Sequence, residues 1–123
     1  MQFPHDLTMK SVASTTNAAV NNNTDHTVAG GPSFANSLYR VWMVGFYFTG
    51  TVDVPTRTRI QFQDSAAPIV YAGISVVGFD AKYIEFPGGL KWTENEPIIA
   101  RIACSVASIG FRAYAYVTEE FAN

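Results

Sequence analysis

The sequence predicts an all-β protein, an antiparallel β-sandwich of jelly-roll type with an extended N-terminal arm. Three observations predict it. From Leu38 onward, apolar and aromatic residues recur with period two in short runs bounded by Gly, Pro, Asp and Asn, and no apolar stripe of period 3.6 and useful length occurs. Hydrophobic residues make up 48% of the 123 and charged residues 15%, which is enough to fill a core shared by two sheets. Residues 1–36 differ, because their only charges are Asp6, Lys10 and Asp25 and they are dominated by Ser, Thr, Asn, Ala and Gly. The chain therefore divides into an arm, residues 1–36, and a sandwich domain, residues 37–123.

The arm has too few large apolar residues to offset the entropy of ordering it alone, so a partner surface is expected to order it. Phe3, Leu7, Val12, Val20, Val28 and Phe34 are the side chains it would dock. LYRVWMVGFYFTG, residues 38–50, is apolar at both parities. Tyr39, Val41, Met43 and Tyr47 would share one face and Trp42, Val44, Phe46 and Phe48 the other, which implies a strand covered on both sides. TVDVPT reads as a turn. In RTRIQFQDS, Thr58, Ile60 and Phe62 point one way and Arg57, Arg59 and Gln61 the other, so one face is wet. APIVYAGISVV is an apolar piece broken by Gly73, and KYIEF places Ile84 and Phe86 opposite Tyr83 and Glu85 before a Pro-Gly-Gly corner.

PIIARIACSV puts Ile98, Ala100, Ile102, Cys104 and Val106 on one face, with Pro97 suited to open the strand. IGFRAYAYVTEE puts Ile109, Phe111, Ala113, Ala115 and Val117 on one face, and the two segments read as a hairpin. About six to eight strands of ordinary length fit, which suits two packed antiparallel sheets. An immunoglobulin topology lacks its cysteine pair, since Cys104 is the only cysteine and reads as a small buried hydrophobe.

Chemistry is sparse. The histidines, His5 and His26, both fall in the arm, where a preorganised base for a nucleophile is not expected. No zinc-ligand spacing occurs, and carboxylates such as Asp80 with Glu85 or Glu94 with Glu96 lack a calcium-loop pattern. Gly88-Gly89 lacks the ending of a phosphate loop and is better explained by positive φ in a turn. No enzymatic activity, metal or cofactor is expected. Trp92 with Glu94, Asn95 and Glu96 is the alternative ligand site, where a ring and neighbouring polar groups suit a sugar; the competing reading is that Trp92 seals one end of the sandwich.

Aromatic surface points instead to self-association. Trp42, Phe46 and Phe48 oppose an already apolar face, and Arg112, Tyr114 and Tyr116 lie opposite the core side of the last strand. Tyr, Trp and Arg are enriched in interfaces, and a single small sandwich has trouble covering this much aromatic surface. The net charge of −2 and the scattered Lys and Arg disfavour direct nucleic-acid binding, and no apolar stretch approaches membrane-spanning length. The start, MQFPHDLTMK, lacks a secretory leader pattern, so synthesis in a cytoplasm is expected.

The order YRVWMVGFYF, RTRIQFQD, PIVYAGISVV, YIEFPGGLKW, PIIARIACSV and FRAYAYVTEE resembles the small jelly-roll decoration or cement proteins of tailed-bacteriophage capsids. The resemblance covers residues 38–120. It implies a non-enzymatic virion part on the capsid exterior, a homo-oligomer expected to be a trimer, whose N-terminal arm clamps neighbouring subunits of the major capsid protein. The alternative is a carbohydrate or host-recognition module of a tail fibre or related appendage.

Overall fold

The computed structural model describes residues 7–16, 23–49, 57–65, 68–78, 80–105 and 109–122. They form eight strands and, among the described residues, no helix. The strands are β1 (Thr8–Thr16), β2 (Thr24–Ala29), β3 (Ser37–Phe48), β4 (Arg57–Gln63), β5 (Val70–Val77), β6 (Lys82–Lys91), β7 (Ile98–Cys104) and β8 (Ile109–Phe121). Two four-stranded sheets, ordered β1-β8-β3-β6 and β2-β7-β4-β5, pack as a sandwich. All pairings are antiparallel, and β1–β8, β2–β7, β3–β6 and β4–β5 are nested within one another.

Period-two alternation builds the core as expected. Thr58, Ile60 and Phe62 of β4, Ile98, Ala100, Ile102 and Cys104 of β7, and Phe111, Ala113, Ala115 and Val117 of β8 are all buried. Small Ala100, Ala113 and Ala115 share one cluster with Phe46, Phe62 and Phe111, so bulky rings fill the room that alanines leave.

Four expectations need correction. First, β7 and β8 form no hairpin: β7 lies between β2 and β4 in one sheet, and β8 between β1 and β3 in the other. Sheets pack about 10 Å apart, a gap that a few extended residues at about 3.3 Å each can bridge, so a short connection cannot tell a hairpin from a crossing.

Second, the composition change near residue 36 is not the edge of the sandwich. β1 and β2 are edge strands, one in each sheet, and Val28 and Ala29 are buried in the core. An edge strand is held largely by the backbone ladder of its neighbour, so a Ser- and Thr-rich segment needs little apolar area to join one. Val28 is thus unavailable for docking elsewhere. Phe3 and Val20 lie outside the described residues, and Val12 is placed only by its backbone register with Ala113.

Third, a β-bulge between Val41 and Met43 switches the parity of β3. After it, Val44 and Phe46 join Tyr39 and Val41 in the core, and Phe48 packs edge-on against Phe46 with ring centroids 5.5 Å apart.

Fourth, Pro-Gly-Gly is not a corner between strands. The partners of Val41 and Met43 on β6 are Leu90 and Glu85, so Phe86 to Gly89 bulge out within one edge strand. Gly88 and Gly89 do take positive φ, 81° and 78°. A Cβ on Gly89 would come within 2.4 Å of the Arg40 side chain, so the bulge needs glycine for space as well as backbone. Gly73, for its part, lies inside β5 without interrupting it.

Candidate functional site

The outer face of the β1-β8-β3-β6 sheet gathers the aromatic residues that do not enter the core. Across its middle, Gly45 on β3 registers with Tyr83 on β6 and with Tyr114 on β8, and Tyr114 registers with Ser11 on β1. Gly45 has no side chain, and the Tyr114 ring fills the vacant space: a Cβ there would stand 2.5 Å from its hydroxyl oxygen and 2.9 Å from the Lys82 carbonyl. Tyr47 and Tyr116 flank Tyr114 with ring centroids 6.3 and 5.9 Å away. Burial, and then the neighbouring Tyr116, Tyr83 and Tyr47, hold the Tyr114 hydroxyl above its ordinary pKa, so it stays a neutral donor. Met43 and Met9 register on either side of Tyr116. Tyr83 is 61% exposed, Met9 43% and Tyr47 39%, so the patch is open to a partner.

The expected interface residues therefore divide. Tyr114 and Tyr116 lie in the patch. Arg112 sits at its margin, donating a 2.9 Å hydrogen bond to Ser11 Oγ. Trp42 is half-buried and donates from Nε1 to Thr118 Oγ1 at 3.1 Å. Phe46 is fully buried, and Phe48 packs against the core, so neither belongs to an outer interface. Tyr47 and Tyr83 were not singled out from the sequence; the signal was cross-strand register, which requires the pairing of β3 with β6.

A second exposed aromatic group lies at the end of the β8 strand. Phe34, the docking candidate nearest β3 in the sequence, is 63% exposed and pairs with Phe121, 69% exposed, at 6.0 Å. Beside them Glu119 accepts hydrogen bonds from the Ser33 amide and hydroxyl. Arg40 forms a two-point pair with Glu120 at 2.8 and 3.0 Å and also donates to the Gly88 carbonyl, which fixes the β6 bulge. Leu7 is half-buried ahead of β1.

The alternative ligand site has a structural role at its centre. Trp92 is buried, donates from Nε1 to the Pro97 carbonyl at 2.8 Å, and stacks on Tyr71 with ring centroids 4.3 Å apart. Its face is not offered to a sugar. Glu94 and Asn95 form an exposed turn, with Asn95 at φ 62° and its side-chain oxygen accepting from the Ser37 amide. Glu96 accepts from the amide and hydroxyl of Ser65 at 3.0 and 2.8 Å. The two glutamates are thus not a carboxylate pair on one strand face. Fully buried Asp64, missed from the sequence, accepts from the Ile69 amide at 2.9 Å and from the Thr93 hydroxyl, which in turn meets the Tyr71 hydroxyl at 2.6 Å. These bonds tie the loop after β4 to the loop before β7. Among the described residues, no three His, Cys, Asp or Glu side chains converge on a point where a metal ion could sit.

His26 belongs to β2 and lies edge-on to Phe111 at 5.2 Å, with its Nε2 buried and unpartnered among the described residues. Burial lowers its pKa below 6.5, and the nearby Asp25 carboxylate offsets this only in part. The folded state therefore favours neutral His26, and its contribution to stability is full above pH 6.5 and lost as pH falls through the lowered value. Urea midpoints measured from neutral pH downward are expected to fall more steeply in the wild type than in His26→Leu. Equal slopes would show that His26 does not carry this dependence.

Together these features define a two-sheet β-sandwich protein with a tyrosine-rich outer face. No family model and no curated protein matches the chain. Among solved structures it is similar to one described as the crystal structure of PirA, with a TM-score of 0.51 and 19% identity over 87% of this chain and 93% of that chain. At that identity the likeness speaks for the fold alone.

Proposed function

We propose that the chain is a non-enzymatic structural protein of a virion, which decorates and stabilises a phage capsid by self-associating and docking on neighbouring shell subunits. The nested strand pairing supports a jelly-roll reading of the sandwich. The observation that carries the proposal is the outer face where exposed Tyr47 and Tyr83 stand beside half-buried Tyr114 and Tyr116, an aromatic patch of the composition found in interfaces. This face joins copies of the chain into the expected trimer, and the exposed Phe34 and Phe121 pair, with the residues ahead of β1, docks on the shell. Repeated weak contacts across a symmetric lattice add to a firm attachment.

Light scattering should report an oligomer for the wild type and a folded monomer for Tyr47→Ser with Tyr83→Ser. Phe34→Ser with Phe121→Ser should keep the oligomer yet fail to co-sediment with phage capsids. A wild-type monomer would overturn the self-association, and wild-type protein that stays in the supernatant while every tested capsid pellets would overturn the virion role.

A further inference from the structure

The opposite sheet brings Arg101 close to Arg57 and Arg59, which lie far from it in the sequence. Arg57 and Arg59 are exposed at alternate positions of β4, so both project from the outer face of the β2-β7-β4-β5 sheet, about 7 Å apart along the strand. Arg101 of β7 registers with Gln61, the next outward position of β4. In a chain of net charge −2, this face carries three guanidiniums. Asp25 pairs with Arg101, its carboxylate 3.8 Å from Arg101 Nε. No ion pair among the described residues engages Arg57 or Arg59; Arg59 donates only to the amide oxygen of Asn23.

An open groove of about 280 Å³ is lined by both arginines and reaches inward beside them to the buried Thr58, Val76 and Cys104. Ala103 and Ser75 register on either side of Arg59, and exposed Val77 registers with Arg57; all three line the groove. Its dimensions fall near the lower end for small-molecule sites. Two exposed planar guanidiniums, neither in an ion pair among the described residues, beside a hydroxyl and a small apolar floor suit a sulfate or carboxylate held on a compact, partly apolar ring.

We propose that this groove binds an acidic saccharide, with Arg57 and Arg59 gripping its sulfate or carboxylate groups and Ala103 and Val77 meeting the ring. The outward positions of these four strands carry no aromatic side chain among the described residues, so nucleobases would find no stacking surface, and a nucleic acid would be held by its phosphates alone. The proposal stands independently of the capsid reading, since it uses the other face of the sandwich.

The test is titration of the full chain with a labelled heparin-derived dodecasaccharide, alongside single-stranded oligothymidylate and phosphatidylserine-containing vesicles. Saccharide binding should be tighter than to either rival and weaken as salt rises. It should fall about tenfold or more in Arg57→Ser with Arg59→Ser, the loss expected from one or more charge-assisted contacts. Lys91→Ser, an equal charge change per site on the other sheet, should leave it unchanged. Both arginines are exposed, and an unchanged thermal midpoint will show that the double variant folds. Absent saccharide binding, equal weakening by Lys91→Ser, or tighter binding of oligothymidylate or vesicles would each overturn the proposal.

Discussion

Phe46→Ala is expected to destabilise the folded chain by about 3–5 kcal/mol, whatever its oligomeric state. The ring is fully buried after the β3 bulge and touches Phe48 edge-on. Truncation removes its transfer free energy and leaves a cavity whose walls, held in two hydrogen-bonded sheets, collapse only partly. Tyr83→Ser, at an exposed position of the adjacent strand, should by contrast change stability by about 0.5 kcal/mol or less in the separated monomer. Chemical denaturation at low protein concentration measures both. A near-native midpoint for Phe46→Ala with altered sizing would show that Phe46 faces outward and that the bulge lies elsewhere.

Trp92→Ala should cost a similar amount, about 3–5 kcal/mol, through three losses together. The buried ring volume disappears, the stack with Tyr71 is broken, and the Pro97 carbonyl loses its donor. Trp92→Phe separates these losses: it keeps most of the ring packing but leaves the carbonyl unpaired, for about 1–3 kcal/mol. If Trp92 were a binding platform, Trp92→Ala would abolish sugar binding at unchanged stability. The structure predicts the reverse order of effects, a lowered unfolding midpoint before any loss of affinity.

What the sequence made legible follows from how far period two holds. In β4, β7 and β8 the alternation runs unbroken, and Ile60, Ile102 and Ala113 face inward as expected. In β3 one inserted residue between Val41 and Met43 reverses every later side chain, so Phe46 was read onto an outer face it does not occupy. A bulge leaves no compositional mark in VWMVG.

The arm was misread for a related reason. Thr24–Ala29 looks too polar to fold, yet only its alternate residues need cover the core, and its backbone ladder to β7 supplies the rest. Sites fared worse than strands because they are assembled by register. Arg101 lies far from Arg57 and Arg59 in the sequence and close to them on the sheet, and Tyr83 meets Tyr114 only across Gly45. Asp64 carries no mark of burial in the sequence, because the groups that bond it come from segments further along the chain.

The nested pairing also sets the order of events as the protein is made. β3 has β8 and β6 as its neighbours, and β1 has β8, so the first and third strands emerge from the ribosome long before the strand that joins them. Ser11 and Arg112, which meet across that seam, are 101 positions apart. Closing so long a loop is slow compared with forming the β4–β5 hairpin. Until β8 arrives, β3 has one edge unpaired, and its apolar sequence is the segment most exposed to wrong partners. A nascent chain halted before Ile109 should accordingly be sticky and unfolded, and release of the last strand should trigger closure of the whole sheet at once.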